Sequence, residues 1–155
     1  MSAKTKHKRL LNIASVFLLL FVLVQFYRPE KNISAVPGGA MFEKSFRPAP
    51  NVSALLQVSC YDCHSNTTRY PWYSEVQPFG WLMANHIKEG KEKLNFDELP
   101  GYGPRKTSSK INQIIHQIQE GKMPLKSYTA IHRNADLNQQ ERQILIDYFN
   151  TKLNP

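Results

Sequence analysis

The chain has 155 residues and a formal net charge of +8 at pH 7. This length leaves room for one compact domain. Residues 1–27 hold four basic and no acidic side chains, so the rest of the chain carries sixteen basic against twelve acidic residues. Because the positive excess is concentrated in the N-terminal tail, and no basic stripe with interleaved aromatic residues follows it, the composition argues against nucleic-acid binding.

A basic head and a long apolar run begin the chain. The head covers residues 1–9, and the run from Leu10 to Phe26 is interrupted by only three polar side chains. Such a run is near the minimum length for crossing a bilayer, and it also resembles the apolar core of a secretory signal peptide. No small-x-small cleavage site follows, so we predict an uncleaved transmembrane anchor over residues 10–27. The basic head then stays in the cytoplasm, which predicts a single-pass inner-membrane protein with its C-terminal domain in the periplasm.

Residues 28–50 are predicted to be a linker, because they contain several prolines and a Gly-Gly pair and show little periodicity. Residues 51–153 are predicted to form one all-α domain, since no segment alternates like a strand. Capping residues and helical spacing predict four helices there. The first begins at Asn51 or Ser53 and leads to the cysteines, and the second runs from Phe79 to Glu89 and stops at Gly90. The third runs from Thr107–Ser109 to Gly121. The fourth begins at Asn138, with Glu141 as its capping-box partner.

The most informative motif is Cys60-Tyr61-Asp62-Cys63-His64, which contains the only two cysteines of the chain. Two thiols at this spacing can add to the two vinyl groups on one edge of a porphyrin. The imidazole of His64 can then bind the iron as the proximal ligand. The motif therefore predicts covalent haem c, and its single occurrence predicts one haem per chain.

Two other interpretations use the same residues. A dithiol redox pair requires a thioredoxin-like βαβ context, and the flanking segments show no alternation of strand and helix. A structural zinc site requires four ligands, usually from two spaced pairs, whereas this chain offers one cysteine pair and scattered histidines. Both interpretations are disfavoured.

The sixth position of the iron has two candidate ligands. Met123 follows the helix predicted to end at Gly121, so a loop would bring its thioether towards the haem. A thioether ligand favours ferrous iron and raises the redox potential relative to two histidines, although a methionine here could also fill a gap in the core. His86 is the alternative ligand. It shares a helical face with Phe79, Leu82 and Met83 and is expected to point inward, where a histidine is more commonly a hydrogen-bonded core residue. Met83, on the same face, is a weaker rival for this position.

With these residues in place, the segment from Asn51 to Phe149 resembles the bacterial haem-binding domain family of mono-haem c-type cytochromes. Short motifs that are weak singly and specific as a set carry the likeness. They are Cys60-x-x-Cys63-His64-Ser65-Asn66, Pro71-Trp72-Tyr73, Pro78-x-x-Trp81, His86-x-x-x-Gly90, Leu94-Asn95-Phe96, Gly121-x-Met123-Pro124, Tyr128, His132, and Leu137 with Glu141. The family's common Met-Pro-Pro is Met123-Pro124-Leu125 here. The resemblance implies covalent haem and export, and it names no partner.

These features predict a small cytochrome c-like helical domain around one covalent haem, preceded by a transmembrane helix. In this interpretation Cys60 and Cys63 anchor the porphyrin, and His64 and Met123 bind the iron. The protein would carry electrons by Fe(II)/Fe(III) exchange with redox partner proteins of unknown identity. Two alternatives stay open. One is a peroxidase or a gas or redox sensor with an open sixth position, and the other is a haem subunit of a larger respiratory complex.

Overall fold

The computed structural model describes residues 3–153, and the side chains from residue 6 to residue 153. Residues 1 and 2 of the predicted basic head lie outside this range. Eight α-helices and three 3₁₀ turns make up the regular structure of the described residues, which contain no strand, so the all-α prediction is confirmed. The helices are α1 Ala3–Val24, α2 Ala40–Phe46, α3 Pro50–Ser59, α4 Tyr61–His64, α5 Phe79–Lys93, α6 Pro104–Gln119, α7 Lys126–Thr129 and α8 Gln139–Thr151.

The chain divides into two compact units. The first unit consists of the described part of Met1–Lys31 together with Tyr70–Asn85, and the second consists of Asn32–Arg69 and His86–Pro155. Helix α5 therefore begins in the first unit and ends in the second. Each unit is described separately below.

The first unit contains the apolar N-terminal helix. Within α1, the stretch Lys6–Val24 has a mean hydropathy of 1.7, and none of it is buried against the rest of the protein. A helix of this length and composition could cross a membrane. Tyr70–Asn85 folds onto the end of this helix through hydrogen bonds that Gln25 makes with the backbone of Gln77.

The second unit is built around the packing of α6 and α3 against α8. The isoleucines that show helical spacing in α6 are all buried, as their period predicts. The core of this unit consists of Phe42, Val52, Leu56, Tyr61, Phe96, Leu99, Ile111, Ile114, Ile115, Ile118, Leu137, Leu145, Ile146 and Phe149.

Helix α2 lies inside the predicted linker 28–50 and was not foreseen in the sequence. Its Phe42 is fully buried, stacks on Phe46 at 4.6 Å and meets Phe96 edge to face at 5.0 Å. The helix has no side-chain cap of its own. Instead the carboxylate of Asp97 accepts hydrogen bonds from the backbone N–H groups at its first turn, those of Gly39 (3.2 Å) and Met41 (3.3 Å).

The predicted start of α8 is confirmed, and two other predicted helix ends differ from the structure. Asn138 caps α8 and forms a capping box with Glu141. The Asn138 side chain accepts from the Glu141 N–H at 2.9 Å, and the Glu141 side chain accepts from the Asn138 N–H at 2.8 Å. Helix α6 starts earlier than predicted, because Pro104 occupies its first turn, where a missing N–H costs nothing. The predicted stop at Gly90 was wrong, since α5 continues to Lys93.

Candidate haem site

The cysteine motif forms a single helical turn directly after α3. The backbone bends at Cys60 (φ −128°, ψ −50°) and then enters α4. The N–H groups of Cys63 and His64 donate to the carbonyl oxygen of Cys60 at 3.3 and 3.0 Å. Residues three and four apart in such a turn share one face, so the turn can present both thiols and the imidazole to one ligand. The structure contains no disulfide between the two cysteines.

The two residues between the cysteines hold this turn in place. Tyr61 is buried and donates its hydroxyl to Glu43 at 2.7 Å. Asp62 is also buried, and its carboxylate accepts hydrogen bonds from Arg69 Nε at 3.0 Å and from the Tyr128 hydroxyl at 2.7 Å. Burial and the bond to Asp62 raise the pKa of Tyr128, which keeps this hydroxyl a donor. Sequence reasoning assigned these two positions no role, and of their partners Glu43 and Tyr128 lie 18 and 66 residues away along the chain.

His64 is oriented by the C-terminal half of α5. Its Nδ1 lies 2.9 Å from the carbonyl oxygen of Gly90 and 3.0 Å from that of Leu94. Burial lowers the pKa of His64. The two backbone hydrogen bonds act in the opposite direction, but the effect of burial is larger, so the ring is neutral near pH 7. A neutral ring that donates from Nδ1 carries its lone pair on Nε2, and this is how second-shell carbonyls fix a metal-binding histidine.

Gly90 explains why α5 passes so close to the motif. A Cβ atom at this position would lie 2.6 Å from the Cys63 carbonyl oxygen and 3.3 Å from its Cβ. Glycine is therefore required for close approach inside the helix, and its role in this protein is not to end the helix. A glycine in a helical pattern can mark either the end of a helix or a close packing contact inside it. The sequence pattern predicted a helix end at Gly90, and the structure shows a close contact.

An apolar cavity of about 330 Å³ opens beside this turn in the second unit. Its lining includes Cys60, His64 and Met123, so three of the four predicted haem-site residues border one space. Cys63 is not among the lining residues. The remaining lining residues are Ser59, Lys93, Leu94, Phe96, Lys110, Gln113, Ile114, Gln117, Ile118 and Pro124. A thiol, an imidazole and a thioether around an apolar space match the donors and the surface that a porphyrin requires, so the residues fit haem.

Met123 reaches the cavity through a helix-terminating turn. Gly121 has a positive φ of +63°, its N–H donates to Ile118 O (3.1 Å), and that of Lys122 donates to Gln117 O (3.0 Å). These two bonds form the Schellman arrangement, in which a left-handed glycine satisfies the last carbonyls of a helix. The reversal directs the next residues back along α6, and Met123 joins the cavity lining there.

His86, the alternative ligand, is half-buried in α5 and does not line this cavity. The expectation that its helical face points inward was wrong for two of the three apolar residues that share it, while the third, Met83, is half-buried. Phe79 is 52% exposed and Leu82 is 54% exposed. Periodicity identifies which residues share a face, but it does not identify what covers that face.

The chemistry of the cysteines does not resemble that of a dithiol enzyme. Burial and the nearby Cys63 raise the pKa of Cys60 to about 12. Burial and the charge of Asp62 raise the pKa of Cys63 to about 11. Reactive dithiols have lowered pKa values, because the thiolate is the attacking form. Within the described part of the chain, no group of three or more His, Cys, Asp or Glu side chains could hold a metal ion, which leaves the zinc interpretation without its ligands.

Comparison with known proteins gives one family. Residues 19–151 match the family model described as a haem-binding domain. This match covers most of the chain, including the cysteine turn, the cavity and helix α2. No curated protein and no solved structure gives a significant match.

Proposed function

We propose that this chain, which belongs to the haem-binding domain family, is a membrane-anchored c-type cytochrome carrying one covalent haem. In this proposal α1 crosses the inner membrane and the second unit lies in the periplasm. The protein passes electrons between redox partners and has no substrate of its own. The observation that supports this best is the binding of His64 Nδ1 to two carbonyl oxygens beside the cysteine pair.

The thiols of Cys60 and Cys63 would hold the porphyrin. Each thiol adds across one vinyl C=C bond, so that a carbon–sulfur bond forms and the thiol hydrogen moves to the neighbouring carbon. This addition is redox-neutral and requires no oxidant. Two thioethers three residues apart on one turn would hold the porphyrin, and His64 would supply Nε2 to the iron.

Met123, which lines the same cavity as His64, would supply the second protein ligand to the iron. Bound haem would supply the one-electron Fe(II)/Fe(III) couple. The thioether of Met123 stabilises the ferrous form, while the apolar residues Phe96, Ile114 and Ile118 exclude water from the site. With two protein ligands on the iron there is no open position, so the proposal favours an electron carrier over a peroxidase or gas sensor.

Two lysines provide the only formal charges among the residues that line the cavity. Lys93 and Lys110 come from the end of α5 and from α6, and the Lys110 ammonium donates to the Lys93 carbonyl. No acidic side chain lines the same space. A positive rim on an apolar cavity suits a flat apolar ligand that carries two carboxylates, as a porphyrin does.

The first test of this proposal is the mass of the exported protein. The mass should exceed that of the polypeptide by one haem, and replacing both Cys60 and Cys63 with Ala should abolish the addition. A bare polypeptide mass for the exported parent protein contradicts covalent attachment.

The second test concerns the sixth ligand. Met123→Ala should remove the methionine–iron charge-transfer band of the oxidised protein and lower the redox potential by on the order of 100 mV, a fraction of the roughly 0.8 V that axial ligation spans. His86→Ala is the matched control and should leave both unchanged. Loss of the band in His86→Ala alone would reverse the assignment. Ready binding of CO by the reduced parent protein would favour an open sixth position.

A further inference from the structure

The first unit exposes large apolar side chains beside the end of α1. Phe26 is 80% exposed, Tyr27 75% and Trp72 82%, and Phe79 and Leu82 are about half exposed at 52% and 54%. Phe79 and Leu82 lie three residues apart in α5, so they share a face of its first turn. These five residues are called the interface patch below. Large side chains grouped in this way on an otherwise water-soluble surface mark an interaction site.

Hydrogen bonds fix the interface patch at the point where α1 ends. The side chain of Gln25 pairs with both backbone groups of Gln77, accepting from its N–H at 2.8 Å and donating to its carbonyl at 3.3 Å. The indole Nε1 of Trp81 donates to the carbonyl oxygen of Tyr27 at 2.7 Å, and the two rings meet edge to face. Gln77 and Trp81, which flank Phe79 in the chain, are therefore held against residues 25–27, and Leu82 directly follows Trp81.

Charged residues follow at once on the chain. Glu75 accepts from Arg28 at 2.6 Å and also binds Lys31. The pKa of Glu75 is held below its usual value, first by the bond to Lys31 and then by the charge of Arg28, so the carboxylate stays ionised near neutral pH. The unit thus passes within a few residues from the uncharged C-terminal part of α1 (residues 10–24) through aromatic side chains to paired charges.

We propose that the interface patch lies in the boundary between lipid headgroups and acyl chains of the same bilayer that α1 crosses. Aromatic side chains concentrate at this depth because one end of the ring is apolar and the other can bind water or headgroups. The patch is continuous with the membrane-spanning helix and hydrogen-bonded to its end, which favours lipid over a protein partner. The proposal rests on the membrane anchoring proposed above. It makes residues 70–85 a second membrane contact, whereas the sequence pattern alone assigned them to the all-α domain of residues 51–153.

The depth of the patch can be measured by spin labelling of the full-length haem protein. In the covalent haem protein proposed above, Cys60 and Cys63 are thioethers, so one added cysteine is the only free thiol. Four variants are labelled separately with a nitroxide: Phe79→Cys and Leu82→Cys in the patch, Ile13→Cys within α1, and Asn112→Cys on the exposed face of α6. Each is placed in vesicles of phosphatidylethanolamine and phosphatidylglycerol and scored by the ratio of its collision rates with oxygen and with a water-soluble nickel chelate.

Labels at residues 79 and 82 should give a ratio several-fold above that at residue 112 and below that at residue 13. Two patch positions are used so that a local disturbance at one does not decide the result. If the label at 13 is lipid-accessible while those at 79 and 82 match 112, anchoring stands and the patch proposal fails, which leaves the face to a protein partner. If the label at 13 itself is water-accessible, both the anchoring and the patch proposal fail.

Discussion

The two units of this chain treat their aromatic side chains in opposite ways. In the second unit Phe42, Phe96 and Phe149 are fully or almost fully buried in one core beside the cavity. In the first unit Trp72 and Phe79 lie on the surface, although the unit is hydrogen-bonded and ordered. The same residue types are therefore placed for two different surroundings. In the second unit the protein itself supplies the apolar surroundings, and in the first unit we infer that the bilayer supplies them.

The comparison predicts a large difference between two aromatic truncations. Phe42→Ala removes a fully buried ring and should lower the free energy of unfolding by about 3–5 kcal/mol. Trp72→Ala removes an exposed ring and should change it by less than about 0.5 kcal/mol. Urea unfolding of both variants in mild detergent, followed by the haem absorption, measures the two values. Equal effects would contradict the division. A negligible effect of Phe42→Ala would also return residues 40–46 to the predicted linker.

Local signals explain which parts of the structure could be predicted from the sequence. The cysteine turn, the buried isoleucine face of α6 and the capping box of α8 each depend on residues within a few positions of one another. Helix α2 could not be found in this way, because its first turn is capped by Asp97, 56 or more residues further along the chain. The exposure of Phe79 and Leu82 in α5 could not be predicted either, since the spacing of the apolar residues is the same whether protein or lipid covers them.

Gly90 gives the sharpest test of how the second unit holds its histidine. Gly90→Ala would place a Cβ 2.6 Å from the Cys63 carbonyl oxygen, and α5 must then move away from the motif. We expect a loss of about 2–3 kcal/mol in the free energy of unfolding, typical of overpacking against backbone. The carbonyls of Gly90 and Leu94 would also move away from His64 Nδ1, which should shift the redox potential.

The matched control for Gly90 is Gly101→Ala, because nothing lies within 4 Å of a Cβ built at that position. This variant should leave both the stability and the potential close to the parent values. If Gly90→Ala behaved in the same way as Gly101→Ala, the close approach of α5 would not be what orients His64.

Among the three substitutions expected to destabilise the second unit, that of Gly121 should have the smallest effect, because its requirement is conformational and not steric. A Cβ there would meet only Arg142 Nη1, at 3.6 Å, an ordinary contact. The backbone strain of an alanine at a φ of +63° should account for the whole effect, so Gly121→Ala should lower the free energy of unfolding by about 1–2 kcal/mol. Gly121→Asn should lose less, since asparagine tolerates the left-handed conformation that ends a helix. Urea titration of the three proteins decides the order. Parent-like stability for both variants would mean that the turn before Met123 is not held in this conformation, and that another feature must bring the methionine to the cavity.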